Sequence, residues 1–157
     1  MQPTKTDRAL PLALLRAREA VMSPIRSVLK AHDLTDQQWR VLRVLHENGL
    51  MDAKELAKSA CVLAPSLTRI IKHLEQQKML TRGVDGKDGR RVLLKILPLG
   101  SELIESVTPE VQVIYQALSD KYGAQKNERF IRFAPRCGGV TTVNYAVAQG
   151  KFMFLLG

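Results

Sequence analysis

Residues 65–78 carry side chains able to bind a polyanion on one side of a predicted helix. The apolar residues of this segment recur at spacings of three and four, while Arg69, Lys72 and Gln76 fall on the opposite side. Guanidinium and ammonium groups on such a face bind phosphates and base edges of DNA. A basic face that meets only solvent has the same pattern, so this helix alone leaves both interpretations open.

Two strands are predicted after this helix, over residues 81–84 and 92–97, and the loop between them contains Lys87, Arg90 and Arg91. Two glycines and two aspartates in the loop suit a tight tip. A basic hairpin directly after two short helices predicts a winged helix-turn-helix, in which one element enters a major groove and the hairpin reaches a minor groove or phosphates. The predicted fold is therefore mostly α with a small β-wing.

Positive charge is concentrated in the same part of the chain. The whole chain has 24 basic and 15 acidic residues, net +9, and residues 60–95 hold eight of the basic and three of the acidic ones. This excess favours a polyanionic partner, since phosphate binding releases counterions. A membrane surface would attract the same charge, but the sequence has no roughly 20-residue apolar run and no signal peptide. A soluble, cytoplasmic protein is expected.

A second group of residues with possible chemistry lies on the helix predicted before the basic segment. Asp36, Trp39, Arg40 and Arg43 fall on neighbouring faces of that helix. One interpretation is a core tryptophan with a surface ion pair. The other is a pocket in which an aromatic ring and a guanidinium receive a flat carboxylic acid.

No catalytic or metal-binding pattern is found. The three histidines lack cysteine or carboxylate partners at recognisable spacing, and there is no Gly-rich phosphate loop or nucleophile elbow. Cys61 and Cys137 have neither metal-ligand nor redox spacing, and Cys61 is predicted to be a core residue. Neither an enzyme nor a cofactor is predicted.

Several helices must hold the basic segment and the group from Asp36 to Arg43 in place. The first is predicted from about residue 10 to residue 32 with a bend at Pro24, and a long apolar-striped helix with a bend at Pro109 is predicted over residues 98–122. Two capping boxes mark the beginnings of the helices between them. Their members are Thr35 with Gln38 and Asp52 with Glu55.

The last 35 residues depart from this helical pattern. Residues 124–129 suit a helix, but Pro135, Gly138 and Gly139 are not expected to continue it. Residues 123–157 are therefore interpreted as an atypical C-terminal tail. It is either a divergent terminus or the product of a frame change in the coding sequence, and the abrupt loss of periodicity favours the frame change.

Several segments within residues 10–122 together have a familiar combination of residues. They are Ala17-Arg18-Glu19-Ala20, Leu34-Thr35-Asp36-Gln37-Gln38-Trp39-Arg40, Glu55-Leu56-Ala57, Pro65-Ser66-Leu67-Thr68-Arg69, Leu74-Glu75 and Asp88-Gly89-Arg90-Arg91. In these segments the chain resembles the MarR family of winged-helix transcriptional regulators, most closely the branch that includes the homoprotocatechuate-pathway repressors.

The resemblance implies an obligate homodimer with interlocked N- and C-terminal helices. The N-terminal dimerisation helix would be residues 1–34, the DNA-binding domain residues 35–97 and the long dimerisation helix residues 98–122. Two-fold operators need two recognition helices about 34–36 Å apart, which such a dimer supplies.

The resemblance also implies a repressor of aromatic catabolism that releases palindromic operator DNA when a small aromatic acid binds. A hydroxylated benzoate, a phenylacetate and a hydroxylated nicotinate all remain open as effectors. The alternative is a constitutive or architectural DNA-binding protein without an effector. The residues implied at DNA are Ser66, Thr68, Arg69, Lys72, Lys87, Arg90 and Arg91, and those implied at the effector are Arg18, Asp36, Trp39, Arg43 and Tyr115.

Overall fold

A computed structural model describes residues 9–84 and 92–137, which form six helices and a three-stranded sheet. The helices are α1 (Leu10–Ala31), α2 (Asp36–Asn48), α3 (Ala53–Ser59), α4 (Ala64–Gln76), α5 (Pro98–Tyr122) and α6 (Ala124–Cys137). The strands are β1 (Met51–Asp52), β2 (Leu80–Val84) and β3 (Val92–Ile96). The chain divides into two compact units after Leu118. The predicted mostly α, winged architecture is confirmed.

Both predicted capping boxes are present. Thr35 Oγ1 accepts a hydrogen bond from the backbone N–H of Gln38 at 3.2 Å, and Gln38 Oε1 accepts one from the N–H of Thr35 at 2.8 Å. Asp52 and Glu55 exchange the equivalent bonds at 2.8 and 3.4 Å. These bonds satisfy N–H groups that have no partner inside the helix, and so determine where α2 and α3 begin.

The sheet is antiparallel with the order β1-β3-β2. Met51 of β1 pairs with Leu94 of β3, and both side chains are buried. The sequence did not predict β1, because two residues are too few for an alternating pattern. Asp52 ends β1 and caps α3, so the wing and the helix pair are joined through one residue.

The apolar core of the first unit is built from α1, α2, α3, α4, α5 and the sheet. The apolar stripe of α4 faces this core, which leaves the basic side of the helix outside. A polar contact also joins α1 to α5, since His32 Nε2, at the end of α1, lies 2.7 Å from Glu110 Oε1 on α5. Fully buried members include Leu29, Leu42, Leu56, Leu74 and Val107.

Two expectations are wrong. Cys61 is exposed, because it has a φ of +50° after the end of α3 and the following residue, Val62, is buried instead. Helix α6 continues through Pro135 to Cys137. A proline removes one backbone hydrogen bond and strains the preceding turn, which makes a helix less stable without always ending it. Helices α1 and α5 continue through Pro24 and Pro109, as the sequence predicted.

Candidate DNA-binding surface and effector site

Helix α4 presents the predicted DNA-contacting residues on its outer side. Thr68, Arg69 and Lys72 are exposed and Ser66 is partly buried. The opposite side is anchored in the core by buried aliphatic residues, so the orientation of α4 about its axis is fixed. The outer side therefore combines hydroxyl, guanidinium and ammonium groups, the donors that read base edges and bind phosphates.

The N-terminal end of α4 carries an apolar side chain that the sequence reasoning missed. Leu63 is the N-cap residue, makes no side-chain capping bond and is 78% exposed. A leucine in such a sequence is ordinarily assigned to the core. The sequence did contain one signal, because Ala64-Pro65 directly after it suits a helix start and places Leu63 outside the first turn.

The wing is tied to α4 by an ion pair. Arg82 of β2 donates from Nε to both Glu75 carboxylate oxygens at 2.8 Å, and its Nη2 also contacts Oε2. The hydrogen bond from Arg82 lowers the pKa of Glu75, and the same bond raises the pKa of Arg82. The three wing residues predicted at DNA, Lys87, Arg90 and Arg91, lie outside the described residues.

The predicted effector residues include two arginines that are each paired with a carboxylate. Arg18 Nη2 on α1 donates to Asp36 Oδ2 on α2 at 3.0 Å. Arg43 Nε donates to Glu47 Oε1 at 2.8 Å. Both arginines thus already hold a carboxylate group of the protein.

The aromatic members of this set differ in their exposure. Trp39 belongs to the core and is only 3% exposed, as the core interpretation expects. The guanidinium carbon of Arg43 nevertheless lies 5.9 Å from the centre of its ring, within cation–π range. Tyr115 lies on α5 and is partly exposed.

Arg40 makes contacts that its sequence position did not indicate. Its Nη1 donates to the backbone carbonyls of Ala60 at 2.8 Å and Cys61 at 3.0 Å, in the turn between α3 and α4. Its Nη2 lies 3.9 Å from Asp36 Oδ2, so the predicted pairing with Asp36 is present but long. Sequence spacing finds only partners one helical turn away, whereas the carbonyl acceptors are 20 and 21 residues further along the chain.

Apolar side chains are also exposed on α1 and α5. Leu10, Leu14 and Leu15 line the first half of α1, and Val113 on α5 is 70% exposed. Exposed apolar residues concentrated on two helices are typical of an association surface. Within residues 9–84 and 92–137, no helix is long and apolar enough to cross a bilayer, and no group of three metal-ligating side chains is found.

Comparison with known proteins agrees with this geometry. The MarR family profile matches residues 34–92. The regulator FarR of Neisseria gonorrhoeae is 41% identical over 125 residues, which cover 79% of this chain and 86% of FarR. The homoprotocatechuate degradative operon repressor of Escherichia coli is 36% identical over 121 residues, covering 77% of this chain and 82% of the repressor.

Solved structures show the same fold. The crystal structure of NadR in complex with 4-hydroxyphenylacetate has a TM-score of 0.78 and 35% identity, over 89% of this chain and 99% of that one. Ligand-free NadR has a TM-score of 0.74 and 36% identity, over 82% and 92% of the two chains. The resemblance inferred from the sequence is thereby confirmed. The chain belongs to the MarR family of DNA-binding transcriptional regulators, and it is not an enzyme.

Proposed function

We propose that this regulator is a repressor that binds palindromic operator DNA as a homodimer and releases it when a small aromatic acid binds. The observation that carries the proposal is that Arg18 pairs with Asp36, while Arg43 pairs with Glu47 and lies beside the Trp39 ring. Each arginine already binds a carboxylate of the protein, the group that an aromatic acid would present to it.

The DNA contacts follow from the exposed side of α4. Arg69 and Lys72 would bind base edges or phosphates, and Ser66 would donate a hydrogen bond to DNA. The Thr68 hydroxyl donates to the Ala64 carbonyl at 3.1 Å, so Thr68 would contact DNA through its methyl group or as an acceptor. Leu63 lies next to these residues and would meet the floor of the groove through apolar contact. The wing residues Lys87, Arg90 and Arg91 would supply further contacts to the minor groove or phosphates.

The homodimer would bury the exposed apolar residues of α1 and α5. Val113→Glu tests this, because it places a charge on a side chain that its own chain leaves uncovered. Sedimentation equilibrium should show that the wild type is a dimer and the variant a monomer. The operator affinity of the variant should fall because the dimer is lost. Thr81→Glu, at an exposed position, is the control for added charge in sedimentation equilibrium and should remain dimeric.

The effector would use the two arginines and the tryptophan together. Its carboxylate would pair with Arg18 or Arg43, its ring would pack on Trp39 once the Arg43 guanidinium moves aside, and a ring hydroxyl would donate to Asp36. Tyr115 would close the site from α5. A hydroxylated phenylacetate is the first compound to test, since the similar NadR was crystallised with 4-hydroxyphenylacetate.

The test is fluorescence anisotropy of labelled operator titrated with 4-hydroxyphenylacetate, a hydroxybenzoate and a hydroxynicotinate. At least one acid should release the DNA. The corresponding alcohol, in which a hydroxyl group replaces the carboxylate of that acid, should not. Arg43→Ala should keep operator affinity and lose the release. If none of the acids changes operator affinity in the wild type, the constitutive or architectural alternative is correct.

A further inference from the structure

The Asp36 carboxylate contacts arginines from two directions. Arg18 reaches it from α1 at 3.0 Å, and Arg40, one turn further along α2, lies 3.9 Å from the same oxygen. The Asp36 side chain is 20% exposed, so water screens these contacts only in part. One negative charge is therefore shared between two cations, and the shorter contact is with Arg18.

Arg40 also holds the turn that leads into the DNA-reading helix. Its Nη1 donates to the carbonyls of Ala60 and Cys61 at 2.8 and 3.0 Å, and its Nε donates to the Asp36 carbonyl at 3.3 Å. Carbonyls at a helix end have no partner within the helix, and a guanidinium is a strong donor to them. Arg40 thus connects α2 to the C-terminal end of α3.

That turn has a backbone conformation that needs support. Cys61 has a φ of +50°, which residues with a Cβ rarely adopt, and its N–H donates to the Lys58 carbonyl at 3.2 Å. The N–H of Val62 donates to the Ala57 carbonyl at 3.0 Å. The next residue, Leu63, is the N-cap of α4, so the position of this turn determines where α4 begins.

We propose that Arg40 is the positioning residue for the DNA-reading helix, and that Asp36 makes its hold on the turn depend on Arg18. When an effector carboxylate pairs with Arg18, the Asp36 carboxylate loses that cation, and a neutral ring hydroxyl donating to it does not replace the charge. The Asp36 carboxylate attracts the Arg40 guanidinium across the 3.9 Å separation and away from the carbonyls of Ala60 and Cys61. The turn then loses its support, and α4 shifts out of register with the groove. This relay rests on the proposed function, because it requires an anionic effector at Arg18.

The decisive variant is Arg40→Lys, which keeps the charge but cannot place donors on Asp36 and both carbonyls at once. The quantity to measure is the ratio of operator Kd with saturating 4-hydroxyphenylacetate to operator Kd without it. The wild-type ratio should lie within the roughly 5–150-fold range of allosteric couplings. The Arg40→Lys ratio should approach one, while calorimetry without DNA shows that 4-hydroxyphenylacetate still binds. Arg132→Lys, on a surface arginine paired with Glu128 on α6, is the matched control and should keep the wild-type ratio.

Hydrogen exchange of the wild type gives a second readout that does not depend on a variant folding. The effector should speed exchange in a peptide covering residues 57–63, whose backbone bonds form the turn. A wild-type ratio of one with every acid overturns the proposed function and the relay with it. The relay alone is overturned if Arg40→Lys has the same Kd ratio as the wild type. It is also overturned if the effector leaves hydrogen exchange in this peptide unchanged or makes it slower.

Discussion

Glu75, near the end of α4, accepts hydrogen bonds at 2.8 Å from Arg82 on the first strand of the wing. The two elements of the DNA-binding domain that would meet different parts of the duplex are therefore connected by a pair of charges. The carboxylate and guanidinium satisfy each other, which leaves the neighbouring basic residues to supply the net positive charge. Arg82 is consequently better assigned to holding the wing than to binding phosphate.

Breaking this pair should lower stability in a pH-dependent way. Arg82→Gln should reduce the unfolding free energy at neutral pH by about 0.2–1 kcal/mol, the usual range for an exposed pair. Arg82 lowers the pKa of Glu75 in the folded state, so the stabilisation is complete above the unfolded-state pKa of about 4.3 and is lost as pH falls through the folded-state pKa. Urea unfolding from about pH 7 to about pH 3 should show the difference from wild type disappearing. Lys95→Gln is the charge-matched control, and a constant difference for Arg82→Gln would contradict the assignment.

Arg69 and Lys72 should affect DNA binding differently. If Arg69 reads a base edge, Arg69→Ala should weaken operator binding by about 1–3 kcal/mol and leave binding to scrambled DNA nearly unchanged. Lys72→Ala should weaken binding to both duplexes and reduce the salt dependence, because a phosphate contact carries no sequence information. Gel shifts on the two duplexes at several salt concentrations distinguish these outcomes. Equal losses on both duplexes for Arg69→Ala would show that it contacts only phosphate.

Leu63 should contact a thymine methyl group in the major groove, since it is the exposed apolar residue at the N-terminal end of α4. Replacing the contacted thymine by uracil removes only that methyl group, at an expected cost of about 0.8 kcal/mol for the wild type. Leu63→Ala should bind both operators equally. Leu50→Ala, at an exposed leucine outside α1, α4 and α5, is the control and should retain the preference for thymine. If Leu63→Ala retains it too, Leu63 makes no such contact.

Gly100 should tolerate no side chain, because a Cβ there would collide with the Met79 carbonyl and the Ile96 side chain. Gly100→Ala should therefore lower the unfolding free energy by about 1–3 kcal/mol through overpacking where α5 meets the sheet. Gly83→Ala is the matched control, since a Cβ at Gly83 meets nothing within 4 Å. Chemical denaturation of both variants measures the difference. Equal stabilities would show that α5 can shift to accommodate the methyl group.

The sequence predicted the parts of this fold that depend on local chemistry. The capping boxes at Thr35 and Asp52 were predicted because each needs only residues three positions apart, and the two faces of α4 because helical periodicity is regular over its length. Arg69 and Lys72, and Trp39 and Arg43, were placed on their helix faces for the same reason, whereas Arg18 and Tyr115 were assigned only from the family resemblance.

Features that depend on tertiary structure were missed. The hydrogen bonds from Arg40 to Ala60 and Cys61 join distant positions, and nothing in the local sequence indicates them. The exposure of Cys61 follows from a positive φ at a residue that is not glycine, which composition does not predict. Trp39 could be placed on the correct helix from the sequence, but its burial depends on neighbours contributed by other elements.

The pairing of Met51 with Leu94 also bears on how this protein could be modified. A slip of one residue along β3 would expose Leu94 and bury Lys95, so burial of Leu94 favours the observed alignment of the strands. Exposed residues of the paired strands, such as Thr81 and Lys95, could accordingly be exchanged while the strands stay in register. The wing is in this sense a graft site, at which new DNA preferences could be engineered without redesigning the core.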